Sequence, residues 1–321
     1  MANGTMKTEA EYYNDTEKYT GDVGSSTNRL VIEDFYDLNS IKGHLASLYY
    51  VMVNDINLSD YDDYKFGISD KIVNNGYTNP LYIDGSGHKI QNLFIKNSSV
   101  DIFDNTDGWL KNITFENLIV MGTTGPIFNM DLIGCNIGAF LFNSSSVSIF
   151  SDKSTNSTPQ TNRTDCTFNV KGVSTDGLLL KADYTRCHIN IDITTTGKSI
   201  RSENKPDSTD TDYYSTLDNC YITGKYNSSD NLRSTDHYVI EYLILKNSYF
   251  AVEMTYPNFI LGYTSPAVSS TVIATSTSFI NKELIPYLNY TEIANFYQLT
   301  TAECQDQELL LSCGFPVIST T

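Results

Sequence analysis

The apolar and polar positions of this chain fall into one short recurring phrase. An Asn, Cys or Ser opens it, alternating β-branched or aromatic residues follow, and a polar bend ends it. The phrase reads Asn92-Leu-Phe-Ile, Asn112-Ile-Thr-Phe and Asn117-Leu-Ile-Val, then Cys135-Asn-Ile, Cys166-Thr-Phe-Asn-Val, Cys187-His-Ile-Asn-Ile and Cys220-Tyr-Ile-Thr. Ser248-Tyr-Phe-Ala-Val and Ser278-Phe-Ile close the series. A period of two predicts strands that bury one face. From Cys135 onward the openings are 31, 21, 33, 28 and 30 residues apart, an irregular spacing within the solenoid range. Stacked coils with loops of unequal length on one side account for that irregularity. Further strands such as Gly138-Ala-Phe-Leu-Phe and Gly177-Leu-Leu-Leu lie between the openings.

The flanks differ from the series. Residues 1–28 are polar and aperiodic, too poor in apolar surface to fold alone. Over 29–48, Ile32, Phe35, Leu38, Ile41 and Leu45 recur at three- and four-residue spacing, which predicts a short amphipathic helix covering the first strand edge. In Leu81-Tyr-Ile-Asp-Gly-Ser-Gly-His88 a strand runs into a turn, with Gly85 and Gly87 expected to supply positive φ. Near the end, Thr300 or Thr301 is placed to cap a helix reaching Leu311, with Gly314 and Pro316 beyond it.

The stretch Tyr49-Tyr-Val-Met-Val-Asn-Asp-Ile-Asn-Leu-Ser59 with Leu81–Ile95 resembles the opening coils of right-handed β-helix proteins of the pectin-lyase-like class, which includes surface and phage proteins. The ending, Leu299-Thr-Thr-Ala-Glu-Cys through Gly314-Phe-Pro-Val, resembles tails of phage-encoded β-helix proteins. Resemblance and repeat together predict an all-β chain: a right-handed, single-stranded parallel β-helix with a short N-terminal capping helix and a small helical C-terminal cap. The expected division is a flexible arm over 1–28 for attachment or assembly, the β-helix over 29–280 and the cap over 281–321. Eight to ten coils at about 4.8 Å each would give a rod roughly 40–50 Å long.

Composition narrows the partners. The net charge is −17, which disfavours nucleic acid and an anionic membrane surface. No apolar run approaches the ~18 residues of a membrane span, and the first residues lack the apolar core of a secretory signal. Synthesis in a host cytoplasm without export is the expectation that follows. Tyr occurs 23 times, which suits both strands and sugar-stacking surfaces.

Candidate chemistry is sparse. Cys135, Cys166, Cys187 and Cys220 recur in equivalent places and read as a column of small buried residues, because parallel Cβ atoms at about 4.8 Å stand wider than the ~3.8 Å of a disulfide. His88 reads as a turn residue and His44 as exposed on the N-terminal helix. His237 follows Asp236, as a general base oriented by a carboxylate would. Asp176 and Asp192, in successive units, are the candidate catalytic carboxylates. The joint set of Asn-x-Asp, Asp-Asp and Gly-His-Gly motifs that pectin hydrolases carry is not found. Asp207, Asp210 and Asp212 in the acidic loop are candidate Ca²⁺ ligands, the only cofactor considered. Tyr61, Tyr64, Tyr213 and Tyr214 are candidate glycan contacts, with Tyr49 and Tyr50 nearby in the opening coils.

The function expected from these features is a bacteriophage virion appendage: a head or tail fibre, spike or decoration subunit in the virion, displaying the rod for host or glycan contact. Its partners would be other virion proteins through the N-terminal arm, copies of itself (a trimer, as the resemblance implies) and a host-surface glycan. A polysaccharide lyase or hydrolase on the same scaffold, and a bacterial surface adhesin or glycan-binding module, are the alternatives.

Overall fold

The computed structural model describes residues 26, 29–41, 48–64, 66–69, 72–74, 80–98, 101–150, 161–195, 200–201, 214–228, 240–241, 243–255, 273–274, 278–281, 296–305 and 308. Every strand pairing among them is parallel, and each sheet is assembled one coil at a time. The fold is a right-handed parallel β-helix. Its first sheet runs from Leu30–Ile32 through Leu48–Met52, Leu81–Asp84 and Phe103–Lys111 to Ile273–Ala274. Its second runs from Ile56–Asn57 through Thr114–Met121, Asn136–Ser144, Thr167–Ser174, His188–Thr195 and Tyr221–Ser228 to Phe296–Leu299. A small third sheet stacks Leu178–Leu179, Ile200–Arg201 and Ile240–Glu241 in that order.

One residue turns each coil from the first sheet into the second. Asn112, Gly134, Asp165, Arg186, Asn219 and Asn247 hold that place, all with φ between 47° and 61°. Asn and Gly enter the left-handed region at low cost, Asp less readily, and Arg186 only because the site demands it. The residue after the bend points into the bore: Ile113, then Cys135, Cys166, Cys187 and Cys220, then Ser248. Beyond it the second-sheet strand alternates; in Thr167–Ser174, Phe168 and Val170 are buried while Asn169 and Lys171 face outward. The core is thus a set of columns, one side chain per coil. Aromatic rings pack within it, such as Phe103 with Phe128 at 5.7 Å and Phe115 with Phe128 at 5.0 Å.

The N-terminal helix is shorter than its periodicity suggests. Leu30–Ile32 is a strand paired with Leu48–Met52, and the helix is only Phe35–Ser40. Two β-branched residues in Leu30-Val31-Ile32 favour the strand, and Asp34, whose carboxylate accepts from Asp37 N at 2.9 Å, caps the helix and fixes its start. His44 lies outside the described residues. At the turn after Asp84, Ser86 and Gly87 take positive φ, and Gly85 does not. Gly85 is needed for another reason: a Cβ there would stand 2.4 Å from Ile113 Cγ1 and 2.6 Å from Asn112 O. At the other end the sheet continues one strand past residue 281, through Phe296–Leu299. Thr300 and Glu303 then form a reciprocal capping box, Glu303 N donating to Thr300 Oγ1 at 3.2 Å and Thr300 N to Glu303 Oε2 at 2.7 Å, ahead of the helix Thr301–Gln305.

Candidate functional site

A strand alternating about its mean plane leaves every second residue on the rod's outer surface, so the outer face of the second sheet is a grid of columns. One column reads Ile119, Phe140, Lys171, Asp192, Lys225 and Glu253 in successive coils. The next reads Met121, Phe142, Val173, Thr194 and Asn227. Ile119, Phe140, Phe142 and Val173 are 41%, 46%, 51% and 41% exposed, and register places them side by side. They form a contiguous apolar strip, whereas the other strongly exposed large apolar side chains among the described residues, Val53 and Phe66, lie in the opening coils.

Beside the strip lies an open groove of about 760 Å³. Lys89, Asn92, Glu116, Asn136, Asn169 and Phe140 are among its walls. Its polar side chains are held in register by one another. Asn117 Nδ2 donates to Asn92 Oδ1 at 3.3 Å and Asn92 Nδ2 to Asn57 Oδ1 at 2.8 Å, forming an amide ladder over three coils. Glu116 accepts from Gln91 Nε2 at 2.7 Å and Lys89 Nζ at 3.1 Å, which hold its carboxyl below the usual range. Farther along, Asn190 Nδ2 donates to Asn169 Oδ1 at 3.1 Å and Thr223 Oγ1 to Asn190 Oδ1 at 3.2 Å. Because Thr223 has one proton to give, the 3.0 Å contact from His188 Nε2 makes His188 the donor there. Desolvation lowers the pKa of His188, in keeping with a neutral ring. The face therefore offers fixed amides and hydroxyls next to exposed rings, a combination suited to a sugar with one apolar face and a hydroxylated edge.

The first sheet carries a second aromatic group on its outer face. Tyr49 and Tyr82 stack at 4.3 Å, and Trp109 packs against Tyr82 at 5.4 Å. Rings stacked face to face spend their faces on each other, so this group reads as packing. Next along the column stand Asp131, Asn162 and Asp183. Asp131 accepts from Asn162 N at 2.6 Å and Asp183 from Thr216 N at 2.7 Å. Burial raises the carboxyl of Asp131 despite the bonds from Asn162.

The candidates from the sequence are dispersed. Asp192 sits exposed on the second sheet, in register between Lys171 and Lys225. Asp176 lies in the turn past that sheet, where Ser145 Oγ, Ser146 N and Ser174 Oγ all donate to its carboxylate, the latter two at 2.8 Å. From Lys171, the rung partner of Asp192, the chain runs three more strand residues, about 10 Å, before that turn, so the two carboxylates do not meet. Tyr61 is 6% exposed, with its hydroxyl accepting from Phe35 N at 3.1 Å, and Tyr64 accepts from Asn39 Nδ2 at 3.0 Å. Both hold the N-terminal helix to the first coils. Tyr50 and Tyr214 are buried. His237, Asp207, Asp210, Asp212 and Tyr213 lie outside the described residues. His88 pairs through Nδ1 with Asp55 at 3.1 Å, and Asp55 also accepts from Lys89 N at 3.0 Å, so this pair fastens the turn. Phe140, Phe142 and the amide ladder escape sequence reading because outward residues repeat with the same period as the core. The adjacent exposed Phe140 and Phe142, two apart in one strand, are the available signal.

Acid should act on this rod through a few carboxyl groups displaced in opposite directions from their ordinary values. Burial alone would raise Asp84, but Ser86 N, Arg29 and Asn112 donate to it and bring it below its ordinary value. Asp165 is lowered by the forked bond from Arg186, at 2.6 and 2.7 Å. Each contributes stability that is present above the unfolded carboxylate pKa of ~3.9 and is lost as pH falls through the lower folded value. Asp131, raised, works the other way and favours the fold as it takes up a proton. The urea midpoint measured from about pH 6 down to pH 2 should therefore fall less steeply for Asp84→Asn than for wild type. Asp131→Asn should match or exceed wild type at neutral pH.

Among the described residues no helix is long and apolar enough to cross a membrane, and no group of three or more His, Cys, Asp or Glu converges as metal ligands would. No protein-family model matches the chain and no curated protein matches it. Among solved structures it is similar to a Bacteroides ovatus protein provisionally titled an immunoglobulin A1 protease, at 12% identity over 90% of this chain and 88% of that one, with a TM-score of 0.43.

Proposed function

We propose that the chain is a glycan-contacting display rod of the virion-appendage type, binding an extended saccharide along the outer face of its second sheet. The observation that carries this reading is the pair of exposed rings, Phe140 lining and Phe142 flanking a groove whose walls mix amides, hydroxyls and charged groups with apolar side chains. Aromatic faces pack on the apolar side of a pyranose, and side chains already fixed by their neighbours lose little entropy on binding. The virion setting rests on the sequence resemblance, with attachment through residues 1–28 and self-association along the rod. Purified phage particles analysed by mass spectrometry should contain the chain.

Retention on a panel of immobilised bacterial surface polysaccharides tests the binding face. One of them should hold the wild-type rod, and Phe140→Ala/Phe142→Ala should weaken that binding at least tenfold, as loss of a hot spot of ~1.4 kcal/mol or more does. No retention by any polysaccharide, or equal retention by the double variant, would overturn the reading. A double variant that changes only self-association would assign the strip to a second copy instead.

A polysaccharide hydrolase is the second reading, favoured by Asp131 and Asp183 on the first sheet. They stand two coils apart, about 9.6 Å, near the upper end of the separation used by inverting enzymes. The raised Asp131 would be the acid. Release of reducing ends, abolished in the stably folded Asp131→Asn variant, would support it.

A further inference from the structure

The outer groove continues past the edge of its sheet. Thr114 and Asn136 wall it, and they also wall a second groove of about 500 Å³ at the corner where the first sheet bends into the second. Asp84, Ser86, Gly87, Asn112 and Gly134 complete the corner groove. Two glycines leave room there. A Cβ on Gly87 would meet nothing within 4 Å. Gly134 stands in the corner column between Asn112 and Asp165, where later coils carry Arg186, Asn219 and Asn247. The Asp165 carboxylate accepts both bonds from Arg186 of the coil beyond, at 2.6 and 2.7 Å. Gly134 thus leaves a notch one coil high.

The second observation is an acceptor left open in that notch. Asn112 Nδ2 donates to Asp84 Oδ1 at 3.3 Å, and Arg29 donates to the other carboxylate oxygen at 2.7 Å. A carboxylate only accepts, so the amide nitrogen of Asn112 faces Asp84 and the amide oxygen faces away from it. Asn112 Oδ1 lies 2.8 Å from where a Cβ on Gly134 would stand, and it receives no hydrogen bond from the described residues. Elsewhere on the second sheet a stacked Asn fills such a place, as Asn117 Nδ2 does over Asn92 Oδ1. At the corner the ladder breaks off at Gly134.

We propose, resting on the saccharide reading of the second sheet, that this corner is a further subsite of the same binding face. It takes an uncharged sugar unit, one hydroxyl of which donates to Asn112 Oδ1. An acidic unit would bring its carboxylate against that oxygen and against Asp84, and the Arg29 guanidinium is already paired with Asp84. From Asn136 to Phe140 is four strand residues, about 13 Å, so the bound saccharide is an oligosaccharide lying along the strands, crosswise to the rod axis.

The probes are fragments of a polysaccharide retained by the wild-type rod, sorted by length and charge and titrated calorimetrically against the full-length chain. Wild type should bind an uncharged hexasaccharide about tenfold tighter than the disaccharide, the gain expected of one or two added hydrogen bonds. Gly134→Asn supplies the missing amide and fills the notch. Asn already holds this bend at Asn112, Asn219 and Asn247, with φ between 47° and 53°, so the variant should fold, as far-ultraviolet circular dichroism would show. It should lose the gain with length and leave disaccharide binding as it is, since Gly134 does not wall the first groove. Gly87→Asn, which fills the corner from its open side, should lose the same gain. Phe140→Ala/Phe142→Ala should weaken both lengths. No retained polysaccharide, or fragments indifferent to the two rings, would overturn the surface reading and the corner with it. Binding that needs the rings but gains nothing with length, keeps its gain in both filled variants, or gains only from acidic units would overturn the corner subsite alone.

Discussion

Arg163→Ala should lower the unfolding free energy by ~3–5 kcal/mol, the cost of stripping donors from a buried polar group and leaving a cavity. The reason lies in two strands of unequal length. Phe128–Ile133 is six residues long, but the strand stacked on it, Asn162–Thr164, has three and pairs only with Leu132 and Ile133. The carbonyls of Phe128 and Met130 therefore face a coil that offers them no strand N–H in register. Arg163 reaches back along the bore and supplies the missing donors. Its aliphatic stem keeps the column between Leu132 and Tyr184 filled. Arg163→Met keeps the volume and removes an unpaired buried charge while leaving the carbonyls bare, so it should cost clearly less than Ala, about 1–2 kcal/mol. Urea denaturation followed by far-ultraviolet circular dichroism separates the variants. Equal losses for Met and Ala would mean that the donors matter and the volume does not.

Gly224→Ala should cost about 3 kcal/mol or more. Gly224 has φ of +109°, and a Cβ would fall 1.9 Å from the backbone oxygen of Ile191 in the coil below. A backbone oxygen in a parallel ladder cannot swing aside without breaking the pairing of both strands. Gly87→Ala is the control. Its φ of +87° is also left-handed, but a Cβ there meets nothing within 4 Å, so only the ~1–2 kcal/mol of backbone strain should appear. The difference between their denaturation midpoints measures coil-to-coil closeness apart from conformational strain.

The architecture is legible in the sequence because a solenoid repeats its physics. Asn92, Asn112 and Asn117, which open successive phrases, all take φ of 52–58°, the conformation for which Asn is suited. The Cys column is visible for the same reason, since each coil from Cys135 to Ser248 places a small residue just inside the bend, where the preceding coil has Ile113. Helical spacing misleads over 29–48 because Ile32, Phe35 and Leu38 face one core from two different elements, and three- to four-residue spacing arises there by coincidence. Gly85 reads locally as a conformational glycine, yet its constraint is the neighbouring coil, a contact 28 residues away that no local pattern reports. The outer face is hidden more deeply. Asp192 looks like a catalytic acid in isolation, and only the register reveals Lys171 and Lys225 on either side of it.

The two long sheets are unequally laced. Across the middle coils the second sheet has strands of eight or nine residues, Asn136–Ser144 to Tyr221–Ser228, while the first has three or four, Asn162–Thr164 to Ser215–Asp218. The rod is accordingly anisotropic as a mechanical object: stiff along the wide seam, compliant along the narrow one. Under tension or shear a crack should open along the narrow seam and leave the wide one, with its exposed Phe140 and Phe142, intact.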